Sequence, residues 1–274
     1  MTPATLGTPG TVPARPTSAA PSTAGSVQPQ LLPSEIDVNQ TLARFSGRVP
    51  TEWGTAVTGV DTRLGTGELL LALTFDACGG PNGSGVDRAL IDLLGRERLP
   101  ATLFLNERWI DANPQVTSEL IADPLFEIAN HGTHHKPLSV TGRSAYGIRG
   151  CASPWEVAEE IESNHARLSG LLGHPPRFFR SGTAFYDEIG AEIVTALGET
   201  PVSFAVNGDA GATFSVAQIG RALSTPPPGA IVLMHMNRPR GSTARGLAAS
   251  LPALRSRGTK FVTLSGADTP LVPA

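Results

Sequence analysis

The chain has 274 residues, a formal net charge of −3 and a pI near 6.1. It has no basic surplus of the kind that phosphate backbones select, so nucleic acid is excluded as an expected partner. No apolar run of about 18 residues occurs, which excludes a membrane-spanning helix, and two cysteines do not make a disulfide scaffold.

Residues 1 to 35 are rich in Pro, Thr, Ser, Ala and Gly and almost free of charge. Such a segment cannot bury enough apolar surface to offset its conformational entropy, so it reads as a disordered tether. The opening MTPATLGTPG lacks the basic and apolar stretches of a signal peptide. That leaves a cytosolic chain, or numbering that begins after a removed export or anchor segment. Residues 36 to 68 hold Trp53 and several turn residues without a firm period and read as an irregular cover. Residues 69 to 274 read as the main folded domain.

ELLLALTF is a continuous apolar run of the kind a strand buried on both faces shows. The turn-rich DACGGPNGSG follows it. VDRALIDLLGRERL then places Val86, Leu90, Leu93 and Leu94 on one helical face, and Pro100 stops it. ATLFLN is the next strand, and a helix is expected from residue 107 to about 122. FEIAN is a third strand, running into ANHGTHHKPLS. Ser153-Pro154-Trp155-Glu156 reads as a capping box with proline at the first helical position. RFFR, PVSFAVN, GAIVLMH and KFVTL read as further strands. Asp187 reads as the cap of a helix to about residue 197, and a last helix is expected over residues 245 to 257. The alternation, about seven times repeated, predicts an α/β fold with a parallel sheet.

Polar residues stand at the C-terminal ends of the apolar runs: Asp76, Asn106, His131, Arg180, Asn207 and His235. Active sites of barrel folds are built at that end. His131 and His135 stand four apart on one loop, and neutral imidazole is the commonest protein metal ligand. Asp76 reads as a metal ligand, a general base or a cap. Arg180 would hold it ionised and oriented. His235 closes a strand too apolar to bury a histidine without purpose and reads as a general acid, with Asp209 as a candidate orienting partner. Cys78 reads as a soft ligand, a small buried hydrophobe or half of a disulfide with Cys151. His134 is expected to point away from the pair, and His165 and His174 to lie on the surface.

Together these segments resemble the polysaccharide deacetylase family, carbohydrate esterase family 4, over about residues 69 to 265. The resemblance implies a distorted (β/α) barrel, here of about seven strands. It implies a metal-dependent hydrolase that removes N-acetyl groups from N-acetylglucosamine units of peptidoglycan, chitin or a related polymer. LTFDACGG resembles the family segment with the general base, Asp76. ANHGTHHKPLS resembles the segment with two metal-binding histidines, His131 and His135. FFRSGTAFYD resembles the segment whose arginine orients the base, Arg180, and whose backbone amide, here Thr183, binds the oxyanion. IVLMH resembles the segment with the acid, His235, and with Leu233 lining the acetyl pocket.

The chain departs from the pattern in several places. Ala77 stands where the family has its third metal ligand, an aspartate. Because side chains alternate along a strand, Cys78 is not expected to replace it, and Asp76 is expected to coordinate the ion itself. Ser181-Gly182 replaces a double proline, and Asn207-Gly208-Asp209 is a reduced form of the family's acidic segment. The expected cofactor is a divalent metal, zinc. The expected partner is an N-acetylated polysaccharide or oligosaccharide, met by a secreted monomer outside the cell or at the cell envelope. Two rivals remain at this stage: a carbohydrate-binding domain that has lost catalysis, and a related hydrolase of a small amide or ester.

Overall fold

The computed structural model describes Met1 and residues 37–274. The tether expected over residues 1 to 35 lies, Met1 apart, outside the described residues. A short helix α1 (Val38–Ala43) precedes strand β1 (Arg63–Leu64). The regular part runs β2 (Leu70–Ala77), α2 (Arg88–Glu97), β3 (Ala101–Leu105), α3 (Glu107–Ala112), α4 (Pro114–Ala122) and β4 (Phe126–Asn130). It continues through α5 (Pro154–Leu172), β5 (Phe178–Phe179), α6 (Glu188–Ala196), β6 (Thr200–Pro201) and β7 (Val206–Asn207). It ends with α7 (Val216–Ala222), β8 (Ala230–His235), α8 (Thr243–Ser256), β9 (Lys260–Val262) and β10 (Leu271–Val272). Among the described residues no helix is long and apolar enough to cross a membrane.

The strands form one sheet in the order β10-β1-β8-β2-β3-β4-β5-β6, with β7 beside β8 and β9 beside β2. All pairings are parallel except those of β1 with β8 and β10. The seven apolar runs of the sequence correspond to β2, β3, β4, β5, the β6–β7 pair, β8 and β9. Where one strand was expected over residues 201 to 207, two short ones occur, because this segment changes neighbours. Val202 donates to Phe179 O in β5 (2.8 Å), and Ala205 donates to Ile231 O in β8 (3.0 Å). The sheet thereby curls into the expected distorted barrel.

Residues 36 to 68, expected as irregular cover, contribute to this closure. Asp61 exchanges hydrogen bonds with Pro201 and Ser203, and Arg63 pairs with Ala230. The helix expected over residues 107 to 122 is broken at Asn113. Pro114 lacks an N–H and disfavours helical geometry in the residue before it, and Asn113 sits at φ −137°, ψ 52°. The predicted capping box is half present. Ser153 accepts from the Glu156 N–H, while the Glu156 carboxylate takes the N–H of Ala152 instead.

Alternation along β2 sends its side chains into two layers. Leu71, Leu73, Phe75 and Ala77 pack outward with Leu90, Leu93 and Leu94 of α2 and Leu247, Leu251 and Leu254 of α8. Ala72 joins Phe104, Ala129, Phe178, Val202 and Ile231 in the barrel interior. Each large apolar side chain buried this way contributes roughly 1.5–3 kcal/mol. These two apolar layers fix the register, and the register places Asp76 directly opposite His235 on neighbouring strands.

Candidate metal and acid–base site

Asp76 leaves β2 at the floor of a cavity of about 590 Å³ at the C-terminal ends of the strands. Asp76, Cys78, His135, Thr183, Leu233 and His235 all line it. Asp76 is buried, and its Oδ1 accepts from Arg180 Nη1 at 2.8 Å. The same Nη1 donates to Thr74 Oγ1 (2.9 Å), Nη2 donates to Ser203 O (2.9 Å), and the guanidinium lies 4.1 Å above the Phe104 ring. Burial pushes the Asp76 carboxyl upward, but His131, Arg180 and His235 outweigh it and hold its pKa below the ordinary value.

His131 is 1% exposed. Its Nδ1 donates to Arg180 O at 2.9 Å, in the tautomer that leaves Nε2 as a lone pair. That Nε2 has no hydrogen-bond partner and lies 3.6 Å from Asp76 Oδ2. Burial lowers the His131 pKa against the pull of Asp76, so the ring is neutral. The ring of His135 stands edge-on to it at 5.0 Å, and its Nε2 is likewise buried and unpartnered. Two imidazole nitrogens orphaned side by side fit a metal ion, since buried polar atoms otherwise find a partner.

The backbone around the histidines is held from three sides. Asn106 Nδ2 donates to His131 O and Gly132 O (3.0 and 2.7 Å), while Asn130 Oδ1 accepts from Gly132 N (2.9 Å). Buried Glu160 accepts from the backbone N–H groups of His134 and Lys136. The loop must turn at Gly132 (φ 75°), where a Cβ would lie 2.5 Å from Glu160 Oε1. Ser181-Gly182 also has a steric reason: a Cβ on Gly182 would stand within 2.3–2.5 Å of the His135 backbone. Asn106, read from sequence as a strand-end polar group, and its neighbour in the loop network, Asn130, thus serve the loop rather than the cavity.

Cys78, which alternation along the strand was not expected to bring to the site, lies beside the histidines. β2 ends at Ala77, whose side chain is in the outward core, and the chain then turns through Gly79 (φ 68°) and Gly80 (φ 73°). Beyond the strand's end alternation no longer applies. The donor atoms of Cys78, His131 and His135 lie within 4.8 Å of one another, a set to which Asp76 does not belong. Burial raises the Cys78 pKa, but His135 and then His235 pull it down to about 6. Cys78 and Cys151 are both free thiols.

On the opposite wall, Asp209 Oδ1 lies 2.8 Å from His235 Nδ1, while Oδ2 accepts from the His235 backbone N–H and from Thr243 Oγ1, each at 2.8 Å. Burial lowers the His235 pKa, but its bonds to Asp209 and Cys78 carry it well above the ordinary value. The Thr183 amide has no acceptor among the described residues, and Thr183 lines the cavity beside Ala184, which is held at φ 58°. His134 is exposed and outside the donor set, and His174 is exposed as expected. His165, expected on the surface, is half-buried and bonded to buried Glu199 at 2.7 Å.

The family model for polysaccharide deacetylase matches residues 64–202, half of the chain. The chain belongs to the polysaccharide deacetylase family. It is 27% identical over 209 residues to a chitooligosaccharide deacetylase of Sinorhizobium fredii, covering 72% of this chain and 90% of that one. Among solved structures, a peptidoglycan N-acetylglucosamine deacetylase superposes with a TM-score of 0.62 at 22% identity, over 78% of this chain and 94% of that one. A family 4 carbohydrate esterase pseudoenzyme from Bacillus anthracis superposes with a TM-score of 0.61 at 19% identity, over 77% and 68%. Both are likenesses of fold.

Proposed function

We propose that the chain is a zinc-dependent deacetylase of N-acetylglucosamine polymers or oligomers, acting outside the cell or at its envelope. Membership of the deacetylase family makes it a hydrolase of the amide bonds of N-acetylated sugars. One observation carries the finer reading. Two oppositely prepared groups, Asp76 and His235, line one cavity with His135, whose Nε2, like that of His131 beside it, is buried without a hydrogen-bond partner.

His131 and His135 would hold the ion, and imidazole donors suit zinc. The bound ion supplies Lewis-acid polarisation of the acetyl carbonyl and a lowered pKa for water. Asp76, kept ionised and aimed by Arg180, takes the proton of the attacking water. The free Thr183 amide donates to the developing oxyanion. Leu233, buried in the cavity wall, packs against the acetyl methyl. His235, kept protonated by Asp209, gives its proton to the leaving amine. At the cavity mouth Tyr146 is 77% exposed, held at φ 52° and edge-on to Phe185 at 5.5 Å. It offers an aromatic face on which a sugar ring stacks.

A binding domain without catalysis has no use for a proton held at His235, which disfavours that rival. The test is acetate release from N-acetylglucosamine oligomers, with zinc content measured on the same samples. Chelation should abolish release and zinc should restore it. Full activity in thoroughly chelated protein would sink the reading.

A further inference from the structure

We propose that Cys78 is the third protein ligand of the metal, bound as a thiolate, in the place where Ala77 offers no donor. This rests on the metal-dependent reading above and goes beyond it in the ligand set.

Three independent features converge on Cys78. Its sulfur shares a space no wider than 4.8 Å with the donor nitrogens of His131 and His135. The Nε2 atoms of both rings are buried and have no hydrogen-bond partner among the described residues, which fits a shared ligand such as a metal ion. The backbone also leaves no alternative at the neighbouring position, because the Ala77 side chain lies in the outward core with Leu73 and Phe75. Cys78 is fixed by the tight turn behind it. A Cβ on Gly79 would approach Trp109 N to 2.6 Å, so only glycine lets the chain pass there.

The arrangement separates two jobs. Asp76 binds Arg180 through Oδ1 and keeps Oδ2 free, 3.6 Å from His131 Nε2, and with Cys78 as the third donor it is left to serve as the base. A thiolate with two imidazoles makes a softer set than a carboxylate with two imidazoles. It favours zinc over magnesium, calcium or manganese. Binding releases the S–H proton to solvent, so no other reactant is needed.

The competing role for Cys78 is as a nucleophile, since it also lies beside His235, which Asp209 orients. The two roles give different results in the full chain. With one zinc bound, X-ray absorption should show one sulfur at about 2.3 Å. With cobalt in its place, thiolate-to-metal absorption should appear in the near ultraviolet. Cys78→Ser and Cys78→Asp should both lose that band, and Cys78→Asp should keep cobalt through its carboxylate. Zinc affinity of Cys78→Ala should fall more than about 100-fold, beyond the loss typical of a merely supporting partner. Iodoacetamide should alkylate Cys78 in metal-free protein but not in zinc-loaded protein, with buried Cys151 unreactive in both.

Zinc bound with only nitrogen and oxygen neighbours, or undiminished affinity in Cys78→Ala, would overturn the ligand role and leave the metal-dependent reading intact. Metal-free protein that stays active and accumulates an acetyl thioester on Cys78 would overturn both.

Discussion

Two imidazole–carboxylate pairs each send one member, Asp76 and His235, into the same cavity, and their histidines shift in opposite directions. In the first, Asp76 lies 3.6 Å from His131 but 2.8 Å from Arg180. Burial outweighs the pull of Asp76 on His131 and lowers its pKa, which keeps it neutral. In the second, Asp209 lies 2.8 Å from His235 and meets only neutral donors besides, the Thr243 hydroxyl and a backbone N–H. His235 is therefore the counter-ion and carries the proton. The same two residue types shift in opposite directions: a permanent cation stands beside the first carboxylate, while Asp209 and Cys78 together raise His235.

The sharpest way to break this contrast is to remove the cation. Arg180→Met leaves Asp76 buried and unpaired, at a stability cost on the order of 3–5 kcal/mol. The Asp76 charge then falls on His131, whose pKa should rise, and bound zinc should be lost with activity at background. Chemical denaturation, zinc analysis and acetate release would check these three outcomes together.

Asp76→Asn keeps the shape and the bond to Arg180 but removes the base. Deacetylation should fall roughly 10²–10⁴-fold while zinc content stays near one per chain. Zinc loss in this variant would instead assign Asp76 to the metal.

Asp209→Asn should lower activity on the order of 10²-fold and bring the second pair closer to the first. The rate of the unaltered chain should fall as pH rises through the raised His235 pKa. In Asp209→Asn that alkaline limb should move to lower pH. Stability follows the same signs. His235 has a folded pKa above its unfolded value of about 6.5, so its contribution is complete below that pH and is lost as pH rises through the folded pKa. His131 is lowered, so its contribution is present above about pH 6.5 and lost as pH falls. Melting temperatures of metal-free protein across pH should show both windows, and Asp209→Asn should shrink the alkaline one alone.

The smallest effect is expected at Glu160, which touches neither pair but anchors the histidine loop through backbone N–H groups. Glu160→Gln keeps one acceptor oxygen. It should weaken zinc binding by about 10- to 100-fold, as loss of a supporting partner does, with little change in the pH profile. Titration with a competing chelator would measure it.

By itself the sequence determined the alternation of strands and helices, because long buried strands and amphipathic helices carry their periods locally. It also marked Asp76, His131, His135, Arg180 and His235, because each stands at or just beyond the end of an apolar run. Short elements were not legible. β1 and β10 are too brief to show a period, and the split of one apolar run into β6 and β7 depends on the neighbours they pair with. Helix α7 had only a local signal, the capping box of Ser215 and Gln218. Tertiary structure alone decided which histidine is neutral, because the Arg180–Asp76 and Asp209–His235 distances span 104 and 26 residues of chain. It also decided the place of Cys78. Alternation predicts where side chains point only while the strand lasts, and β2 stops one residue before the cysteine.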